Sequence, residues 1–210
     1  GWLVFRCLFV TYFRTRYLNP ERVPLRGPAI LAANHASFLD PPLVGCGLSR
    51  AMNYLARESL FRFPLTGSVL RSWNAVPVDR DGGGAGGLKA ILDRLLAGGA
   101  IILFPEGTRT RDSHLHAARS GVGLTVIKSR APVVPVRVFG TYEAFGRHHH
   151  WPRPYPVRVK FGRPLFFDAL RAEARSCARR RLKEIYQEVA DELMAQIAAL
   201  QPFEEKETFP

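Results

Sequence analysis

Six short runs rich in valine, isoleucine and alanine alternate along this chain with segments of helical spacing, and that alternation leaves few folds open to it. The runs are Ala29 to Ala33, Met52 to Ala56, Ala75 to Val78, Ala100 to Phe104, Val133 to Phe139 and Val157 to Phe161. Strands separated by helices are the signature of an α/β fold with a largely parallel sheet. The 210 residues, 47% of them hydrophobic, suffice for one domain with a full core. The expected architecture is therefore a single α/β domain whose mostly parallel central sheet, of about six or seven strands, is flanked by helices.

The helical segments have recognisable ends. Pro41-Pro42-Leu43-Val44 opens a helix with Asp40 as its N-cap, since proline in the first turn lacks only a donor that would be unpaired anyway. Leu88 to Leu96 forms another, ended by Gly98-Gly99. From about Glu173 to Leu200, apolar residues at Leu182, Ile185, Val189, Leu193, Ile197 and Leu200 mark one buried stripe. Residues 1–17 are apolar and aromatic but interrupted by Arg6 and closed by Arg14 and Arg16. They are too short and too charged to span a bilayer, which takes roughly 20 apolar residues. A helix carrying Trp2, Phe5, Phe9, Tyr12 and Phe13 among arginines suits the lipid headgroup region; the alternative is a helix packed on the domain's own core. The tail, residues 201–210, has two prolines and three glutamates and reads as frayed. The expected organisation is an interfacial helix (1–17), one catalytic domain (18–200) and a flexible tail (201–210).

Thirty lysines and arginines against 18 acids give a formal net charge of +12, which favours anionic partners: nucleic acid, acidic lipid headgroups or phosphorylated metabolites. An arginine-rich surface of no special meaning accounts for the same number. Cys7, Cys46 and Cys177 stand far apart, in neither disulfide nor thiolate-zinc spacing, and imply a reducing, cytoplasmic setting.

Three turns carry candidate chemistry. Asn34-His35-Ala36-Ser37-Phe38-Leu39-Asp40 follows the first apolar run, at the strand-to-helix corner where open α/β sheets bind ligands. A carboxylate five residues after a histidine can fold back onto one ring nitrogen and leave the other as a base; alternatively Asp40 caps its helix and His35 is an ordinary turn residue. Phe104-Pro105-Glu106-Gly107-Thr108-Arg109 leaves another strand at the same edge. Arg109 offers a planar fork for phosphate and Gly107 allows close backbone approach, although Glu-Gly-Thr-Arg also suits a plain hydrogen-bonded turn. Val76-Pro77-Val78-Asp79-Arg80-Asp81 brings Arg80 to the same rim, or else forms a surface salt-bridge cluster.

With Asn-His-x-x-x-x-Asp followed by Phe-Pro-Glu-Gly-Thr-Arg, the chain resembles the glycerophospholipid acyltransferase superfamily, especially its lysophosphatidic acid acyltransferases. The resemblance runs from about Tyr17 to Asp168 and includes Arg26-Gly27-Pro28-Ala29-Ile30 and Ala131-Pro132-Val133-Val134-Pro135-Val136. It implies an acyl-CoA or acyl carrier protein donor, a glycerolipid hydroxyl as acceptor, no metal and no further cofactor. His35 becomes the base, backed by Asp40, without a covalent acyl-enzyme. Arg80 and Arg109 hold the acceptor's phosphate, Glu106 positions its glycerol hydroxyls, and Asn34, Ser37, Gly107 and Thr108 complete the substrate-binding set. Arg119 stands where the family often has a basic residue. Asn74 and Pro77 occupy the glycine and phenylalanine places of the family's Gly-x-x-Phe-x-x-Arg motif, and Val138 stands at a frequent proline. The expected setting is the cytoplasmic face of a membrane with anionic lipids, peripheral or monotopic, with no nucleic acid partner.

Two rivals remain. Gly82-Gly83-Gly84-Ala85-Gly86-Gly87 contains a formal Gly-x-Gly-x-x-Gly, the mark of a dinucleotide-binding oxidoreductase. A non-catalytic basic module for membranes or nucleic acid accounts for the charge with His35 and Asp40 purely structural. His148-His149-His150 reads as a solvated loop rather than a metal site, and His114 and His116 have no assigned role.

Overall fold

The computed structural model describes residues 2–78 and 85–203. Its seven strands are β1 (Arg16–Leu18), β2 (Ala29–Ala33), β3 (Met52–Arg57), β4 (Ala75–Val78), β5 (Ala100–Leu103), β6 (Val133–Phe139) and β7 (Arg158–Phe161). The helices are α1 (Trp2–Tyr12), α2 (Asp40–Cys46), α3 (Pro64–Ser72), α4 (Ala85–Leu96), α5 (Ser120–Ser129), α6 (Thr141–Phe145), α7 (Asp168–Glu173) and α8 (Arg179–Ala199). The strands form one sheet in the order β1-β7-β6-β2-β5-β3-β4, parallel throughout except where β6 meets β7.

The centre of the sheet shows why the apolar runs became strands. Every residue of β2 is buried; Ala29, Leu31 and Ala33 join one apolar cluster, while Ile30 and Ala32 join another. A strand so placed needs cover on both faces, and a parallel sheet obtains it from helices. Phe9 and Phe13 near α1 and Leu43 and Val44 of α2 cover one face. Ile91 and Leu95 of α4, Val122 and Val126 of α5, and Ile185, Val189, Leu193 and Ile197 of α8 cover the other.

Several expectations shift. The helix expected over residues 1–17 stops at Tyr12, because Arg14 takes a left-handed backbone (φ 48°) and the chain then enters β1, an edge strand of only three residues. The reading of α1 as a helix packed on the domain's own core holds in part. Phe5 and Phe9, at i, i+4 spacing, pack inward with Phe13, while Leu3, Val4 and Leu8 remain exposed. Among the described residues no helix is long and apolar enough to cross a membrane. The helix expected from about Glu173 to Leu200 is α8, which starts only at Arg179 because Glu173 ends the separate α7; its buried stripe is Ile185, Val189, Leu193 and Ile197. Pro77 is tolerated in β4 because that strand is the sheet's edge, where a missing donor breaks no second ladder. Most of the tail expected to fray, residues 204–210, lies outside the described residues.

Helices α5 and α8 meet closely at Gly123, where any side chain would run into the backbone carbonyl of Tyr186. Replacing Gly123 by alanine gains about 1 kcal/mol of helix propensity but forces two helices apart. Gly123→Ala should therefore lower the unfolding free energy by a net of about 1–2 kcal/mol, an overpacking cost in the upper part of its common range less the propensity gained. Chemical denaturation checks this, and an unchanged midpoint would contradict so tight a contact.

Candidate active site

β2 and β5 lie side by side with Ala32 opposite Leu103, so the turns that follow them open on the same edge of the sheet. The first turn is fastened from below. Asn34 donates from Nδ2 to the Val138 carbonyl (3.1 Å) and accepts from the Val138 amide at Oδ1 (2.7 Å). A proline at 138 could not donate, so valine suits this clamp. Ser37 is fully buried; its hydroxyl donates to the Phe145 carbonyl (2.7 Å) and accepts from the Leu39 amide (3.1 Å). Asn34 and Ser37, expected among the substrate contacts, thus have their side chains engaged by the protein and act as fasteners of the turn.

Asp40 is not the N-cap expected of it. It is the first residue of α2, Leu39 holds the cap position, and no side chain caps this end. Prolines at 41 and 42 offer no amide for a capping carboxylate, and the Leu43 amide already donates to the Leu39 carbonyl (2.9 Å). The carboxylate turns back instead: Oδ2 accepts from His35 Nδ1 (2.8 Å) and from the amides of Ala36 and Ser37 (both 2.7 Å). This is the fold-back that the five-residue spacing suggested. The His35 ring stacks on Phe104, centroids 3.9 Å apart and planes at 19°, and keeps 16% of its side chain exposed. With Nδ1 held by a carboxylate, a neutral imidazole has Nε2 available as an acceptor, the arrangement of a general base.

The second turn meets the first through the Thr110 amide, which donates to the His35 carbonyl (2.8 Å). Glu106 is buried at 4% exposure, and neither of its carboxylate oxygens has a hydrogen-bond partner. Burial pushes its carboxyl up to about 7, against the opposing pull of the nearby His35 amide and of His116. Gly107 adopts φ +70°, and Arg119 lies over it where a Cβ would sit, so this glycine serves the turn as much as any ligand. Thr108 is exposed. The Arg109 guanidinium lies 3.4 Å above the centre of the Phe38 ring, and its Nη1 is buried without a partner. Burial holds its basicity below the usual arginine range, assisted by the charge of Arg147 and opposed by that of Asp40. Arg80, expected at this rim, lies outside the described residues.

Sequence reasoning missed two supports. Asp112 Oδ1 accepts from the Thr110 hydroxyl (2.8 Å) and from His116 Nε2 (2.9 Å), bracing the turn that carries Arg109. The hydroxyl of Thr110, with the His114 amide and His116, holds the Asp112 carboxyl down at about 2. A histidine four residues after an acid was the available signal. The second support is Phe145-Gly146-Arg147: the Phe145 carbonyl holds Ser37, its ring lies 6.4 Å from Phe38, and Arg147 Nη1 donates to the Arg109 carbonyl (3.4 Å). No local motif marks it.

Other features stand apart. His148 and His149 have ring centroids 3.9 Å apart, and among the described residues no group of three or more histidines, cysteines or acids could hold a metal ion. Gly82 to Gly84 lie outside the described residues, while Gly86 and Gly87 belong to α4. An apolar cleft of about 350 Å³, lined in part by Phe5, Tyr54 and Trp73, sits beyond the far end of α2 and touches none of His35, Asp40, Glu106 or Arg109.

Set against known proteins, residues 14–139 match the family model described as Acyltransferase. The 1-acyl-sn-glycerol-3-phosphate acyltransferase of Bacillus subtilis is 31% identical over 123 residues, 58% of this chain and 61% of that protein. The chloroplastic 1-acyl-sn-glycerol-3-phosphate acyltransferase LPAT1 of Arabidopsis thaliana is 29% identical over 116 residues, 54% of this chain and 32% of its own length. The chain thus spans from about a third to three-fifths of these curated relatives. The crystal structure of the 1-acyl-sn-glycerophosphate (LPA) acyltransferase PlsC from Thermotoga maritima superposes with a TM-score of 0.72 at 23% identity, over 95% of this chain and 79% of that one, which establishes a shared fold. A family match over more than half the chain, on a fold with both histidine and glutamate turns at one sheet edge, means that this protein belongs to the acyltransferase family.

Proposed function

We propose that the protein moves a fatty acyl group from acyl-CoA or acyl carrier protein to the hydroxyl of lysophosphatidate or a related lysophospholipid, with His35 as general base. The observation that carries this reading is the set of buried, unpaired polar groups near His35. Asp40 Oδ1, both oxygens of Glu106 and Nη1 of Arg109 are buried without partners around a carboxylate-held imidazole. Buried polar atoms are nearly always paired, so a cluster of unpaired ones around an imidazole suits a polar ligand. The names of the relatives, acyltransferases acting on 1-acyl-sn-glycerol-3-phosphate, supply the ligand class.

In this reading the acceptor's phosphate lies against Arg109, with Arg80 as a second candidate, and Glu106 accepts from the acceptor's hydroxyls. His35 Nε2 removes the proton from the reacting hydroxyl as its oxygen attacks the thioester carbonyl. The tetrahedral intermediate collapses, the C–S bond breaks, and the proton on Nε2 passes to the departing sulfur, so that a thiol and an ester leave. Asp40 orients the ring and stabilises the imidazolium between those steps. The thioester is already activated, and the chemistry asks for neither a metal nor a further cofactor. The exposed Leu3, Val4 and Leu8 on α1 suit a protein that meets its acceptor at the cytoplasmic face of a membrane carrying anionic lipids, peripheral or monotopic. A purely basic binding module needs no buried acid or carboxylate-held imidazole, and the acyltransferase reading uses both.

His35→Ala should cut acyl transfer by about 10²- to 10⁴-fold while the melting temperature stays near that of the wild type. The measurement is thiol release from acyl-CoA across a panel of lysophospholipids, and turnover at the wild-type rate would remove His35 from its assigned role.

Glu106 yields a second test. Its pKa is raised from 4.5 to about 7 in the folded protein. A carboxyl raised on folding contributes its stability in the protonated form, fully below about pH 4.5, and loses it as pH rises through about 7. Glu106→Gln should therefore be more stable than wild type at pH 8, by about 1–2 kcal/mol once solvent screening is allowed for, and nearly equal to it at pH 4.5. The same variant should lose acceptor affinity, since the amide cannot replace the anion. Denaturation at the two pH values checks this, and a difference of opposite sign would rule out a buried carboxylate under strain.

A further inference from the structure

Arg109 and Arg147 make an incomplete arrangement. Neither has an ion pair among the described residues, and Nη1 of Arg109 is a buried donor without an acceptor. Their approach is built into the fold. Ser37 holds the Phe145 carbonyl, Gly146 follows, and Arg147 Nη1 donates to the Arg109 carbonyl at 3.4 Å. Phe38 lies under Arg109 at 3.4 Å and extends toward Phe145, so an apolar floor keeps water from one side of the guanidinium. Arg109 is half-buried and Arg147 exposed beside it, and two like charges so placed repel until an anion between them offsets the repulsion. A guanidinium presents its donors in a fork that matches phosphate oxygens, so two of them can serve more oxygens than one.

We propose that Arg147 is a second phosphate ligand which, with Arg109, forms a two-guanidinium clamp for a terminal phosphomonoester, selecting it over a phosphodiester headgroup. A monoester carries close to two negative charges at neutral pH, because its second pKa lies near 6, whereas a diester carries one and has fewer free oxygens. This deepens the acyl-transfer reading by choosing among its acceptors, and it rests on that reading only for the kinetic arm of its test.

The variants are Arg147→Gln, which keeps a donor for the Arg109 carbonyl without the charge, and Arg147→Lys, which keeps the charge. Thiol release is measured with lysophosphatidate and with a lysolipid of the same acyl chain bearing a phosphodiester headgroup. For lysophosphatidate, Arg147→Gln should raise KM about tenfold while kcat stays within about twofold and the thioester's KM is unchanged; one lost charge-assisted bond is worth about that factor. Arg147→Lys should recover most of the loss, and the diester's KM should move by less than about twofold. Wild-type behaviour in Arg147→Gln, or an equal rise for both acceptors, overturns the proposal, the second outcome reducing Arg147 to a brace for its loop. Should the wild type turn over neither acceptor, the acyl-transfer reading fails separately. Calorimetric binding of inorganic phosphate then decides the clamp: binding by wild type that is lost in Arg147→Gln upholds it, and equal or absent binding ends it.

Discussion

A single carboxylate oxygen organises the site. Oδ2 of Asp40 accepts from the His35 ring and from two consecutive backbone amides, all within 2.8 Å, on a side chain with no exposure to solvent. A buried carboxylate is costly unless its charge is met, and here two amides and an imidazole N–H meet it. The three bonds also close the turn from His35 to Asp40 on itself. Ring orientation, backbone path and the start of α2 are thus fixed by one group, and removing that group would release all three.

The rest of the molecule delivers partners to this turn. Parallel pairing of β2 with β5 ends both strands at one edge, so the histidine turn and the glutamate turn meet although some 70 residues separate them in the chain. Pairing of β2 with β6 on the other side brings the Val138 peptide to Asn34, and the helix after β6 carries Phe145 to Ser37. Each fastener of the turn comes from a strand adjacent to β2 or from the loop that leaves it. Sheet order, more than any local contact, determines which loops can reach His35.

This division explains what was legible in the sequence. β2, β4 and β6 were readable to the residue, β2 most directly because an unbroken apolar run is what double-sided burial requires. β1 was not, since Arg-Tyr-Leu carries no strand pattern and exists by pairing with β7 alone. The spacing of His35 and Asp40 gave the fold-back, yet Asp-Pro-Pro was equally consistent with a helix cap, and only the absence of amides at Pro41 and Pro42 separates the two. Arg147 was beyond reach for another reason. Its place depends on the left-handed Gly140 (φ 83°), a five-residue helix and a hydrogen bond to Ser37, a chain of tertiary contacts with no periodicity of its own.

The cost of the site bears on why so much scaffolding surrounds it. Each buried polar group left unpaired costs about 1–3 kcal/mol, and the site holds several such atoms on Asp40, Glu106 and Arg109. In a loose loop those groups would turn to water or to each other; Glu106 and Arg109 both belong to the turn after β5, and a flexible turn would let them pair. Here the Thr110–Asp112–His116 network, the Phe38 ring and the Asn34 clamp hold each group away from the partner it would otherwise find. Folding keeps charge and hydrogen-bonding capacity uncommitted at one spot by making every alternative geometry worse. Such withheld capacity is what a polar ligand can complete, and the interactions it gains there owe their strength to solvent already excluded and dipoles already set.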